Sequence, residues 1–178
     1  MKKFLLLLMV GFTLLNVKSV FAHENILRTN VLGDVVGFRG LEYERAISDR
    51  KAISVDYWVA SGKESFSDTS SSLSNLRFLF REYEKADQLG LFYAVGVSYL
   101  NASYSSPSLL GKDNHAIGLD FKLGSQGRIG ENLVVSSTIG FIYFVSPVKK
   151  TVVADSVSES LNISGFLPNI GVNFGYSF

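Results

Sequence analysis

Period-two alternation constrains this chain more than any other feature. Segment after segment sets apolar residues against small, polar or charged ones. A strand points successive side chains to opposite faces, so this spacing reads as β-structure with two unlike faces. In "KAISVDYWVA", Ile53, Val55, Tyr57 and Val59 oppose Ser54, Asp56 and Trp58. Leu91, Tyr93, Val95, Val97 and Tyr99 oppose Gly90, Ala94, Gly96 and Ser98. Ile117, Leu119, Phe121 and Leu123 oppose Gly118, Asp120 and Lys122. Leu133, Val135, Ile139, Phe141 and Tyr143 oppose Ser136, Thr138 and Gly140. Beyond residue 22 no apolar stretch approaches the roughly 18 residues that a membrane-spanning helix requires. If the chain crosses a membrane, it does so as a closed barrel, which alone pairs every backbone group internally.

Eight strands are predicted: Ile26–Val35, Arg39–Ile47, Lys51–Ala60, Leu73–Glu84, Gln88–Ala102, Asn114–Gly124, Asn132–Val145 and Leu167–Phe178. The fourth is the least regular. Leu76, Phe78 and Phe80 face one way, with Asn75, Arg77 and Arg81 on the other face and Leu79 among them. The connections after strands two, four and six are tight and polar: "SDRK" at 48–51, "KADQ" at 85–88 and "SQGRIGE" at 125–131. Those after strands three, five and seven, at 61–72, 103–113 and 146–166, are long and Ser-rich, and only the first, near Val36-Gly37-Phe38, is short. Short turns at one end and long loops at the other are the asymmetry of an up-and-down transmembrane β-barrel with both termini on the short-turn side. The predicted fold is all-β, an eight-stranded antiparallel barrel.

Alternation does not say which face looks outward. A soluble barrel of the lipocalin kind would turn its apolar face inward. Three features favour the reverse. The polar face is rich in Gly, Ala and Ser, which suit the narrow lumen of eight strands better than a solvated exterior. Tyr43, Tyr57, Tyr99, Tyr143, Tyr176 and Phe178 sit on the apolar face towards strand ends, where aromatic girdles meet lipid headgroups. The chain ends in "NIGVNFGYSF", with Ile170, Val172, Phe174, Tyr176 and Phe178 on one parity. In this last strand and in its architecture the chain resembles the small bacterial outer-membrane β-barrels of the OmpA/OmpX type. The resemblance implies residence in the outer membrane, among its lipid and lipopolysaccharide. It also implies that Phe174, Tyr176 and Phe178 form the signal read by the barrel-assembly machinery. No lipocalin-like G-x-W occurs near residue 23.

The other end agrees with that compartment. "MKK", an apolar run from Phe4 to Leu15, and the small-x-small Val20-Phe21-Ala22 read as a secretory signal peptide over residues 1–22. The barrel domain is then 23–178. Lys2, Lys3 and Lys18 lie in the leader, which has no acid. Of the 17 basic and 16 acidic residues, the barrel domain therefore keeps 14 and 16, a net −2. That balance offers no footprint for nucleic acid. Without cysteine there is no lipoprotein anchor, disulfide framework or thiolate metal site. No metal-ligand spacing, nucleotide loop or nucleophile elbow occurs, and no cofactor is expected.

With the apolar parity outward, the inward set carries Arg28, Asp34, Glu42, Glu44, Asp56, Arg77, Arg81, Asp120 and Lys122. Charges in a narrow, poorly hydrated interior must pair. The expected arrangement is a network across a filled lumen, centred on Glu42/Glu44 and Arg77/Arg81. The leading function is non-enzymatic: envelope structure, or contact with a surface protein or host ligand through loops 61–72, 103–113 and 146–166, by a monomer. In the longest loop the odd-numbered apolar residues Val153, Val157, Leu161 and Ile163 suggest a projecting hairpin. Two further readings are a narrow pore gated by the charge network and a lipid-modifying enzyme. The enzyme would draw on His115 with Asp113, Ser105, Ser106 and Ser108. The His-x-Ser pair of the lipid A deacylases is absent, because Ala116-Ile117 follow His115.

Overall fold

The computed structural model describes residues 25–35, 37–63, 70–105, 114–154 and 157–178, with side chains for 25–35, 37–61, 72–103, 115–145 and 165–178. The proposed leader, the loop residues Ser106, Ser108 and Asp113, and the side chain of Ser105 lie outside these.

Eight strands close into one barrel, each antiparallel to its sequence neighbours and the last paired to the first. They are β1 (Asn25–Asn30), β2 (Phe38–Ser48), β3 (Lys51–Lys63), β4 (Ser70–Lys85), β5 (Leu89–Ser105), β6 (Asn114–Ile129), β7 (Leu133–Ala154) and β8 (Val157–Ser177). Short turns join β2 to β3, β4 to β5 and β6 to β7, and both described termini lie at that same end. There Asn25 and Phe178 exchange backbone hydrogen bonds of 3.2 and 3.0 Å. The β4–β5 turn is a single 3₁₀ turn, Ala86–Gln88, in which Asp87 and Gln88 take positive φ. We call this the turn end and the opposite rim the loop end.

Most strands run further than their alternation predicts. β3 and β4 stay paired to Lys63 and Ser70, and β5 reaches Ser105, so the segments 61–72 and 103–113 are partly strand. β7 and β8 pair up to Val148 and Ile163 and on to Ala154 and Val157, so the anticipated hairpin within 146–166 is a two-stranded extension of the wall. Ser-rich composition lowers the hydropathy signal without interrupting the backbone ladder.

The first strand is shorter than predicted. β1 stops at Asn30, and Val31–Val35 form a helix, α1. The reason is local. Asn30 accepts from the backbone N–H of Gly33 at 2.9 Å through its side-chain oxygen, which caps the first turn. Gly37, at φ +89°, then returns the chain into β2.

The two faces separate as the alternation implies. Leu91, Tyr93, Val95, Val97 and Tyr99 are exposed on β5, while Phe92, Ala94, Ser98 and Leu100 are buried. The inward glycines make room for large lumenal neighbours. A Cβ on Gly124 would stand 2.4 Å from the Phe92 ring, and one on Gly118 would stand 2.6 Å from Ile142. Ala52, Tyr83, Phe92 and Ala94 pack together towards the turn end. Leu100, Ala116, Ile142 and Phe144 form a second apolar cluster towards the loop end, flanked by Trp58, Leu73 and Leu167. Charged residues occupy the level between them.

Candidate functional site: a charge belt and the cavity above it

Two four-membered groups make up the belt. In the first, Arg28 of β1 and Arg81 of β4 clasp the carboxylates of β2. Arg28 lies 2.7 Å from Glu44 and 4.0 Å from Glu42, and Arg81 lies 2.9 Å from Glu44 and directly against Glu42. In the second, Arg77 of β4 contacts Asp56 of β3 directly and Asp120 of β6 at 3.4 Å, and Lys122 of β6 lies 3.8 Å from Asp56. All eight residues are buried. A lone buried charge would cost several kcal/mol, so the pairing is a condition of placing them there at all.

Uncharged groups complete the belt. The Tyr83 hydroxyl donates to both oxygens of Glu44 at 2.8 and 2.9 Å. Arg28 donates to Gln126 across the lumen at 2.8 Å, and Gln126 donates in turn to the backbone carbonyl of Gln88. Arg81 stands 5.1 Å from the centroid of the Phe92 ring, within cation–π reach. Nearer the loop end, Ser98 donates to Asn75 at 2.7 Å. Every strand bearing a belt charge contributes it on its inward parity. The geometry therefore follows from the alternation.

Eight of the nine anticipated network residues meet in this belt. Asp34 does not. It lies in α1, exposed, and accepts from the Thr29 hydroxyl at 3.2 Å. Its exclusion follows from β1 ending at Asn30, and it leaves four acids facing four bases. Tyr83 and Gln126 were missed. Tyr83 shares the parity of Arg77 and Arg81, which could have found it. Gln126 shares that of Asp120 and Lys122, but the predicted sixth strand stopped at Gly124.

The expectation of a filled lumen is corrected: the interior is not filled throughout. On the loop side of the belt lies a cavity of about 430 Å³. Its floor is the belt, through Arg77, Arg81, Lys122 and Asp56. Its walls include Trp58, Leu73, Ile142 and Leu167. It also touches Phe38, which packs edge-on against Trp58 on the inward parity of β2, the exposed Leu32 of α1, and Pro168 and Ile170 on the outward parity of β8.

The remaining candidates are placed as follows. Phe174, Tyr176 and Phe178 are exposed on the outer face of β8 and just beyond it, and the Tyr176 hydroxyl accepts from Asn132 at 2.7 Å. His115 is exposed on the outer face of β6, stacked on Tyr99 with ring centroids 5.4 Å apart. It therefore points away from the cavity.

No family model matches the chain, and no curated protein matches it. Among solved structures it is similar to the N-terminal β-barrel domain of Pseudomonas aeruginosa OprF. The identity is 11% and the TM-score 0.53, over 88% of this chain and 98% of that one. That likeness is one of fold: the chain is an eight-stranded antiparallel β-barrel of the OprF kind.

Proposed function

We propose that this protein is an integral β-barrel of the bacterial outer membrane, non-enzymatic and monomeric. Its lumen is closed by ion pairs, and it serves envelope structure or surface contact through its loop end. One observation carries the reading: the barrel is inside-out. Phe78, Val95, Val97, Leu119, Phe121, Phe141, Val172 and Phe174 are exposed on its outer wall, while four carboxylates and four cations are buried inside. Such an exterior is costly in water, and it matches a hydrocarbon layer. Tyr93, Tyr176 and Phe178 near the turn end, with Tyr99, Tyr143 and Phe166 in the loop half, suit the two headgroup levels.

In this reading residues 1–22 direct export. The strand ending at Phe178 engages the assembly machinery, and the turn end faces the periplasm. The belt spans from β1 through β4 to β6, which supports a closed lumen over a narrow pore. The outward position of His115 supports a non-enzymatic role. The β7–β8 extension is the element best placed to meet a partner, since its backbone edges can accept another strand.

Gel mobility of the protein from an outer-membrane fraction, cold against boiled, tests the reading. A barrel that resists cold detergent and shifts on boiling is expected, together with no unitary conductance in a planar bilayer. A protein recovered from the soluble periplasm with no shift would overturn it. Discrete conductance steps altered by Arg77→Ala would replace closure with a gated pore.

A further inference from the structure

The barrel wall is incomplete at one seam. β1 pairs with β8 only from Ile26–Ser177 to Asn30–Asn173, whereas β8 continues past Phe166 towards the loop end. On its other side, β1 reaches only Leu41 of β2, through Thr29. Above Asn30 the place of a strand is taken by α1, which packs against both β8 and β2. A helix cannot extend the ladder, so the upper part of β8 is an edge on this side. An open sheet edge is costly in hydrocarbon. Pro168, which lacks an N–H, falls in this stretch, as prolines in sheets favour edges.

The cavity lies behind this seam and touches its outward residues. Leu32 and Ile170 are 43% and 61% exposed, yet both also line the cavity, and Phe38 lies inside against Trp58. Apolar surface thus runs from the exterior at α1 and β8 to Trp58, Leu73 and Ile142 within. At the far end are cations. Arg77 Nε and Arg81 Nε are buried with no hydrogen-bond acceptor among the described residues, and Lys122 holds its carboxylate at only 3.8 Å. The volume falls within the roughly 300–1,000 Å³ typical of small-molecule sites.

We propose that the cavity binds a long-chain fatty carboxylate, which enters from the bilayer between α1 and β8. The hydrocarbon chain lies along Leu32, Phe38, Trp58, Leu73 and Leu167, and the carboxylate reaches Lys122 and Arg77. A single chain fits where a diacyl lipid does not, because a phospholipid's second chain and headgroup would have to stay outside. The free space in the lumen and the missing strand then have one explanation. The proposal rests on the membrane reading above and adds a ligand to it.

Trp58 is the only tryptophan of the chain and lines the cavity, so it reports binding directly. The experiment uses the full barrel, refolded in detergent and shown folded by its heat-dependent gel shift. It is titrated with a dibrominated C18 fatty acid, whose bromines quench indole fluorescence. Saturable quenching is expected, reversed by the unbrominated acid and weak with a dibrominated phospholipid. The fatty alcohol of equal length should compete about tenfold less well, the value of a lost charge-assisted hydrogen bond. Lys122→Gln should weaken binding of the acid by a similar factor and leave that of the alcohol unchanged. Quenching that grows in proportion to bromolipid without saturating, or equally with acid and phospholipid, would mean surface contact only and would overturn the site. Equal competition by acid and alcohol would overturn the role of the cations. Absence of the gel shift would count against the membrane reading, and saturable binding in its absence would leave the cavity standing without the bilayer route.

Discussion

The half of the barrel nearer the turns and the half nearer the loops solve the same packing problem in opposite ways. In the turn half every strand is present, and Tyr83, Phe92 and the eight belt charges occupy the interior. In the loop half one strand gives way to a five-residue helix, and the interior keeps a cavity of about 430 Å³. An eight-stranded lumen is narrow enough for side chains to fill, so free space inside one needs a local cause. Here the cause is covalent order. Asn30 caps a helix where a fourth inward position of β1 would otherwise begin, and the inward file of that strand ends there. The lesson is that closure and filling are separate properties, set by different residues.

The sharpest way to break the contrast is to open the belt. Arg81→Met would leave Glu42 and Glu44 with Arg28 as their only guanidinium partner. The expected loss is about 3–5 kcal/mol of stability, read as a lower urea midpoint for unfolding from detergent or lipid. A change near zero would mean that the belt is hydrated and carries little of the fold. Next in size is a charge on the outer wall. Phe121→Lys should cost about 2–4 kcal/mol if that position lies at the bilayer midplane, measured by the same unfolding series in vesicles. In a water-facing strand the same change would be neutral or stabilising.

Tyr83→Phe removes one hydrogen-bond donor from Glu44 without altering shape. It should cost about 1–3 kcal/mol, less than Arg81→Met, because the guanidiniums remain. Asn30→Ala tests the loop half. Losing the cap of α1 should cost about 1 kcal/mol overall and should be felt at the seam, as faster backbone exchange in α1 than in β3 to β6. His115→Ala should be silent in both stability and lipid A composition, since the ring lies outside the barrel against Tyr99.

Much of this was legible beforehand, for a physical reason. A strand's period is two, so one correctly placed residue fixes the face of all its neighbours. That is why Arg28, Glu42, Glu44, Asp56, Arg77, Arg81, Asp120 and Lys122 could be placed inside together. What stayed hidden were boundaries. "RTNVLGDV" keeps apolar residues coming, so the strand pattern runs on past Asn30, and only the cap-like Asn30 with Gly33 three residues on marks a helix start. Asp34 was misplaced for that reason alone. Ser-rich ends such as Ser70–Ser72 and Ser103–Ser105 offer only Tyr104 between their serines, too little to show an alternation, although their backbones pair. The cavity was not readable at all, because it depends on what a missing strand fails to contribute.

The central claim is the inside-out assignment, and the absence of cysteine makes it directly measurable. Single cysteines placed in turn at residues 91 to 100 of β5 would each carry a small fluorophore, with the barrel refolded into vesicles containing brominated lipid. Quenching should alternate, strong at Leu91, Tyr93, Val95, Val97 and Tyr99 and weak at Phe92, Ala94, Gly96, Ser98 and Leu100. The opposite alternation, or none, would contradict the account and turn every strand of the barrel around.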